Sequence, residues 1–144
     1  LSRLVHARLA NEMGLEEKGW ELFMEALRSD LVDIQGGTTG EGIHCGVMAG
    51  TVYDVMSTFG GLNLKGVHPV LNPSLPDHWK GLEFHFLFRD IDYRVTISGG
   101  EIKISGKNSG KEKIKIHICG KKLEMAPNKV ISQKLNAKTT FHAR

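Results

Sequence analysis

The spacing of apolar residues changes once along the chain, from a helical period to a period of two. Up to residue 59, apolar residues recur every three or four positions, as on one face of an α-helix. From Leu82 onward they alternate with polar residues, as on strands with one buried face. The change predicts an α+β fold, with a helical segment over residues 1–61 and an antiparallel, jelly-roll-like β-sandwich over residues 62–144.

Glycines divide the helical segment into three predicted helices. The first ends near residue 12, because Gly14 is a typical helix stop, and its apolar side holds Leu4, Val5 and Leu9. The second is predicted from Glu16 to Asp30. Its expected apolar stripe consists of Trp20, Phe23, Met24, Leu27 and Leu31.

The third predicted helix, Ile43 to Phe59, is apolar or small on almost every side. A helix without a polar face is buried on most sides, and Gly46 and Gly50 would let another helix approach closely. Three helices alone cannot cover such a helix. Because the chain also begins with Leu1 inside a helix, we expect it to be the C-terminal part of a longer polypeptide with further helices upstream.

The second half of the chain has the short, evenly spaced strands of a sandwich. Turns are predicted at Gly99-Gly100, at residues 108–111 and at Gly120-Lys121. Three of the four prolines fall within residues 62–81, which predicts an irregular segment with one short strand near Leu62. The polar tail over residues 136–144 is expected to fray.

A glycine-rich loop directly precedes the third helix. Four of the seven residues from Gly36 to Gly42 are glycine, and two of the others are threonine. Glycines let the backbone approach a ligand, and free N–H groups at a helix start attract anions, so the loop is a candidate phosphate site. A purely structural interpretation competes with it, because Thr38 and Glu41 have the spacing of a capping box.

The motif Gly37-Thr38-Thr39-Gly40-Glu41-Gly42-Ile43-His44, followed by Met48-Ala49-Gly50-Thr51, resembles the end of the catalytic barrel in glycoside hydrolase family 65. That family contains the maltose, trehalose and kojibiose phosphorylases. The similarity continues through residues 72–76 and 82–84 and extends to about Asn108. It implies that the three helices are the last helices of an (α/α)6 barrel and that residues 62–144 form the family's C-terminal β-domain.

The resemblance also implies a reaction. An inverting phosphorylase of this kind cleaves an α-glucosyl disaccharide, for which we expect maltose, with inorganic phosphate to give β-glucose 1-phosphate and glucose. By resemblance, the phosphate is held by Gly37, Thr38, Thr39 and His44. The general acid and the sugar-binding residues lie upstream in that family, so we expect no catalytic residue here and no activity from this chain alone. No cofactor or metal is implied, since phosphate is a co-substrate.

Two other kinds of function compete with this one. A non-catalytic carbohydrate-binding or assembly module would need an exposed aromatic platform, for which Trp79 is the only obvious candidate. Nucleic-acid binding would use the basic half of the chain, since residues 62–144 hold 15 Lys/Arg against 7 Asp/Glu. Residues 1–61 hold 4 Lys/Arg against 9 Asp/Glu, and the aromatic residues of the strands fall on the inward row. Neither nucleic acid nor a membrane is therefore an expected partner.

The remaining titratable residues predict no further site. Cys45 and Cys119 lack metal-binding spacing and are expected to be buried thiols of a cytoplasmic protein. His85 and His117 are expected on the outward face of the strands rather than at a metal. The expected partners are the disaccharide, phosphate, the rest of the barrel and further copies of the chain in a homo-oligomer.

Overall fold

The computed structural model describes residues 2–33, 36, 39–110, 112–136 and 140–141. They belong to two compact units, one within residues 2–58 and the other within residues 59–141. The first unit is helical and the second contains the sheets, so the predicted α+β class is confirmed. The predicted domain boundary after Gly61 stays a prediction.

In the first unit, the part of the chain that the structure describes forms three α-helices. They are α1 (Ser2–Glu12), α2 (Glu16–Arg28) and α3 (Cys45–Asp54). Gly14 has a φ of +76°, as expected for the residue that stops α1. The predicted third helix is shorter than expected, because its last residues form a π-helical turn, Val55–Phe59.

Helices α1 and α2 pack through small residues rather than through the predicted leucines. Ala7 and Ala10 are buried, whereas Val5 is 51% exposed and Leu9 is 48% exposed. The amide of Asn11 occupies the space where a Cβ of Gly19 would stand, so the two helices approach too closely for larger side chains between them. The predicted apolar side of α1 was therefore wrong. The buried side lies part of a turn away from it, although Leu4 is buried.

On α2 the first half of the predicted stripe is buried and the second half is not. Trp20 and Phe23 are buried with Ala26, and their rings lie 5.8 Å apart. Leu31 is 81% exposed because α2 ends at Arg28 and Leu31 falls in the following turn.

Helix α3 contacts α1 through Leu4 and Arg8. Leu4 of α1 fills the space beside Gly50, as expected from the glycine spacing, whereas Gly46 has open space around it among the described residues. Arg8 of α1 donates a 2.5 Å hydrogen bond from Nη2 to Oδ1 of the buried Asp54. Burial raises the pKa of Asp54, and the guanidinium of Arg8 opposes that rise.

The outer side of α3 is exposed within the described chain. Ile43 is 76% exposed, Val52 is 63% exposed and Tyr53 is 52% exposed. The guanidinium of Arg8 lies 5.0 Å from the centre of the Tyr53 ring. The apolar surface that the sequence predicts for this helix is therefore present, and helices α1 and α2 cover only part of it.

The described residues of the second unit form ten strands. They are β1 (Leu62–Asn63), β2 (Val70–Leu71), β3 (Leu75–Pro76), β4 (Gly81–Phe88), β5 (Ile91–Ser98), β6 (Glu101–Lys107), β7 (Ile114–Ile118), β8 (Lys121–Met125), β9 (Val130–Lys134) and β10 (Thr140–Phe141). One sheet has the order β4-β5-β6-β9 and another the order β1-β2-β7-β8. Strands β3 and β10 form a separate pair.

Alternating side chains of the two four-stranded sheets form the core of this unit. Val95, Ile104 and Ile116 are at most 1% exposed, while their strand neighbours face solvent. Gly106 in β6 lies against Ile114 and Met125 of the other sheet, so the two sheets face each other there. The predicted inward rows are therefore confirmed, and burying each such side chain contributes roughly 1.5–3 kcal/mol.

Several local expectations for the strands and the cysteines were wrong. Strands β2 and β3 lie within the segment expected to be irregular, and β10 lies within the tail expected to fray. The pairs β2–β7 and β3–β10 are parallel, so the sheets are not wholly antiparallel. Cys45 and Cys119 are free and exposed rather than buried. Cys45 lies on the uncovered side of α3, and Cys119 occupies the turn after β7 with a φ of +49°.

Position 61 needs glycine for two reasons, its backbone conformation and the lack of space for a side chain. These reasons predict how a substitution changes the stability of the fold. The φ of Gly61 is +65°, and an added Cβ would overlap the backbone of Asn72, whose N–H donates to the Gly61 carbonyl. We expect Gly61→Ala to cost more than about 3 kcal/mol of unfolding free energy, since overpacking adds to backbone strain. The measurement is urea unfolding of the chain.

Gly120→Ala is the matched control. Gly120 has a similar φ of +77° but open space around a Cβ, so its substitution should cost only about 1 kcal/mol. Equal losses in the two variants would show that close packing on Asn72 is not important.

Candidate functional site

The loop between α2 and α3 contains the predicted phosphate-binding residues. Thr39 and His44 are described, whereas Gly37 and Thr38 lie outside the described residues. Gly36 and Gly42 have φ values of +76° and +106°, in the region that favours glycine. The expectation that this loop needs glycine for its backbone path is confirmed at these two positions.

The two described site residues are both held by the turn that ends α2. The Thr39 hydroxyl donates a long, 3.4 Å hydrogen bond to the carbonyl of Ser29. Nδ1 of His44 lies 2.6 Å from Oδ1 of Asp30. The next residues of the turn are fixed by backbone bonds to the Arg28 carbonyl. The end of α2 therefore anchors Thr39 and His44 through two consecutive residues, Ser29 and Asp30.

Asp30 contacts His44 at two atoms. Besides the ring contact, the backbone N–H of His44 donates a 2.9 Å hydrogen bond to Oδ2 of Asp30. The Asp30 side chain is 10% exposed and that of His44 is 35% exposed. One carboxylate therefore fixes both the backbone and the ring of the residue that starts α3.

The hydrogen bonds from the His44 ring and backbone lower the pKa of Asp30 below its ordinary value, although burial of the carboxyl opposes them. Asp30 lies just beyond the C-terminus of α2, where the helix dipole disfavours a negative charge. The hydrogen bonds with His44 outweigh the effect of burial. Asp30 is therefore an ionised acceptor at neutral pH.

The start of α3 offers fewer free N–H groups than a phosphate-binding site at a helix terminus would need. His44 is the N-cap residue, not a member of the first turn, and its N–H is bonded to Asp30. The N–H of Cys45 donates to the carbonyl of Ile43 at 3.1 Å. The helix terminus is thus partly closed by the protein itself, and a phosphate here would rely on loop and side-chain donors.

The predicted capping box does not cap α3. Glu41 ends a separate 3-10 turn, Thr39–Glu41, and α3 begins only at Cys45. The side chain that accepts a hydrogen bond from the start of α3 is that of Asp30, fourteen residues before His44. Sequence reasoning missed Asp30 because no local spacing connects the two residues. The available signal was an acidic residue at the C-terminal end of a helix, where the dipole disfavours it.

The other residues considered from the sequence form no competing site. Arg94 donates a 3.1 Å hydrogen bond to the exposed His85, and the His117 ring is 6.1 Å from that of His68. Within the described ranges, no group of three or more His, Cys, Asp or Glu residues is placed to hold a metal ion. Trp79 is half-buried with its ring 5.3 Å from that of Phe59, so it packs in its own unit instead of forming an open platform.

Among the described helices, none has both the length and the apolar character needed to cross a bilayer.

Two family models match the chain. The central catalytic domain of glycosyl hydrolase family 65 matches residues 1–53, and the C-terminal domain of the same family matches residues 62–125. Together they cover both units of the structure, including Thr39 and His44.

Individual proteins match at moderate identity. Trehalose 6-phosphate phosphorylase of Lactococcus lactis is 35% identical over 104 residues, which are 72% of this chain and 14% of that protein. Kojibiose phosphorylase of Caldanaerobacter subterraneus is 30% identical over 127 residues, which are 87% of this chain and 16% of that protein. A solved structure from the human microbiome, provisionally named a kojibiose phosphorylase, superimposes with a TM-score of 0.75 at 29% identity. The match covers 92% of this chain and 17% of that one.

The lowered pKa of Asp30 gives a pH prediction. A carboxyl group whose pKa is depressed by folding stabilises the fold above its unfolded pKa, about 3.9, and that contribution is lost as the pH falls through the lowered value. We therefore expect the difference in unfolding free energy between wild type and Asp30→Asn to shrink as the pH falls from 5 to 2. Urea unfolding at a series of pH values measures it.

The control is Glu17→Gln, which removes a carboxylate from the exposed first turn of α2. Its difference from wild type should not show the same loss on acidification. A difference for Asp30→Asn that is unchanged down to pH 2 would contradict an ionised Asp30 in the fold.

Proposed function

Because the chain belongs to glycosyl hydrolase family 65, we propose that it forms the end of the catalytic barrel and the C-terminal domain of an inverting disaccharide phosphorylase. The matched relatives whose names state an activity are phosphorylases, and this chain spans 14% and 16% of their lengths. In this proposal the described loop is one wall of the phosphate site. The rest of the active site is contributed by the remaining barrel.

The observation that carries the proposal is the common anchoring of Thr39 and His44. The side chains of Thr39 and His44 are tied to Ser29 and Asp30, so a hydroxyl and an imidazole are held near the same turn. Phosphate needs several fixed donors, and charge-assisted hydrogen bonds are the strongest ones available. The 3.4 Å bond of Thr39 is long, so the hydroxyl can exchange its carbonyl partner for a phosphate oxygen.

The proposed chemistry assigns this loop to the nucleophile. One phosphate oxygen attacks the anomeric carbon, the glycosidic bond breaks on the opposite face, and a carboxylic acid elsewhere protonates the leaving oxygen. Thr39 and His44, with Gly37 and Thr38 by resemblance, would hold and orient the phosphate. None of them is proposed as the general acid, so this chain alone should not catalyse the reaction.

The disaccharide is the least constrained part of the proposal. Maltose remains the substrate predicted from the sequence, whereas the matched relatives are named for trehalose 6-phosphate and kojibiose. A panel of maltose, trehalose, trehalose 6-phosphate and kojibiose, each with phosphate, tests the substrate directly. Release of β-glucose 1-phosphate or its equivalent from one of them supports the reaction class, whereas cleavage that does not depend on phosphate would overturn it.

The proposed partners follow from exposed surface. The outer side of α3, with Val52 and Tyr53 exposed, supports contact with the remaining helices of the barrel. A cytoplasmic location is proposed from two exposed free thiols, Cys45 and Cys119, which persist in reducing compartments. Assembly of a homo-oligomer is also proposed and is tested by sedimentation of the full-length enzyme.

The phosphate site predicts a selective kinetic defect. In the full-length enzyme, Thr39→Val keeps the shape of the side chain but removes a donor to a charged group, which contributes roughly 1.5–3 kcal/mol. We expect kcat/KM for phosphate to fall by about tenfold to a hundredfold, with His44→Ala losing at least as much. The KM for the disaccharide should change little, and both constants are measured separately.

Thr96→Val in β5 and His85→Ala in β4 are the matched controls, since both change the same residue types in the other unit. They should leave phosphate use unchanged. Normal phosphate dependence in both loop variants would mean that the loop serves only the fold.

A further inference from the structure

The contact between Asp30 and His44 constrains the ring more than a single hydrogen bond does. Asp30 Oδ2 accepts the backbone N–H of His44 while Oδ1 faces ring atom Nδ1, at 2.9 Å and 2.6 Å. A ring flip would remove Nδ1 from the carboxylate, and a backbone shift would break the second bond. The ring is therefore held in one orientation relative to the start of α3.

The same contact decides which ring nitrogen carries a proton. The Asp30 carboxylate is ionised at neutral pH, which is well above the ordinary pKa of an aspartate, and an ionised carboxylate can only accept hydrogen bonds. At 2.6 Å, Nδ1 must therefore be the donor. When the ring is neutral, its single proton is on Nδ1, and Nε2 has a lone pair.

Phosphate responds to this arrangement in two ways. Its ionised oxygens need donors, and Nε2 donates only when the ring is doubly protonated. The net charge changes as well, because the pair of Asp30 and neutral His44 is negative and repels phosphate, whereas the pair with an imidazolium is neutral. Both effects favour phosphate binding to the charged ring.

We propose that Asp30 is a positioning residue that keeps the His44 proton on Nδ1 and thereby makes phosphate use depend on the doubly protonated ring. This inference rests on the proposed phosphate site. Among the described residues, Asp30 is the one that forms an ion pair with the ring. The titratable side chains on the adjoining segments are Arg28, Asp33, Glu41 and Cys45.

Asp30→Asn in the full-length enzyme tests the proposal. The side-chain amide can donate to an unprotonated Nδ1, which moves the proton of the neutral ring to Nε2. The variant should therefore match wild type in kcat/KM for phosphate at pH 6 and exceed it by about tenfold at pH 8.5, because its neutral ring still donates from Nε2 whereas that of wild type does not. The ratio of kcat/KM between wild type and variant cancels the effect of phosphate ionisation, because that effect is the same for both enzymes.

A merely structural role for Asp30 would lower phosphate use by the same factor at every pH. A constant ratio therefore overturns the proposal, while leaving the phosphate site intact if His44→Ala remains impaired. Normal phosphate use in His44→Ala as well would instead overturn the site assignment. Asp30→Glu, which keeps a carboxylate, should recover the wild-type pH dependence, and Glu17→Gln should resemble wild type throughout.

A second measurement does not depend on the folding of Asp30→Asn. Nitrogen-15 spectra of the histidine rings in the wild-type enzyme distinguish protonation at Nδ1 from protonation at Nε2 in the neutral ring. We expect the Nδ1 form for His44, assigned by its loss in His44→Ala. A neutral ring protonated at Nε2 would overturn the proposal.

Discussion

Helix α3 has no polar face, and its orientation depends on carboxylate contacts at its two ends. At its start, Asp30 binds the backbone and the ring of His44, and at its end Asp54 binds Arg8 of α1. Apolar contacts along the helix are not directional and would permit it to rotate or slide. The two carboxylates fix the rotation and the position of the helix, because each must keep its hydrogen-bond partner to remain ionised away from water.

The two contacts differ in their electrostatics. Asp30 gains hydrogen bonds that outweigh its desolvation, so its pKa falls, whereas desolvation dominates at Asp54 and its pKa rises. Asp54 Oδ2 is also buried without a hydrogen-bond partner among the described atoms. The contact at the start of α3, which adjoins the proposed phosphate site, is therefore the better satisfied of the two.

Periodicity predicted the elements but not the side of each helix that is buried. Strands with a strict period of two have only two possible faces, so the inward rows of β5 and β6 could be predicted residue by residue. A helix offers a continuous range of orientations, and the close approach of Gly19 to Asn11 turned Val5 and Leu9 outward. That approach depends on a pair of helices and has no local signature.

The candidate site was predictable to a similar, limited extent. The glycine-rich motif identified Thr39 and His44 before any geometry, because its composition is unusual and its family resemblance is specific. Asp30 could not be found in this way, since its contact with His44 spans fourteen residues. The same holds for β2 and its partner β7, two strands that are too far apart in sequence for a local turn to indicate their pairing.

The parallel pairing of β2 with β7 has a consequence for how the sheet unit assembles. Strands β4, β5 and β6 are joined by tight turns and can pair as soon as they are synthesised, whereas Val70 of β2 must wait for His117 of β7. Closing such a long loop costs conformational entropy before any contact offsets it. The local three-stranded meander should therefore acquire amide protection first during refolding, with β7 protected later, and the apolar face of that meander would be the template on which the second sheet closes.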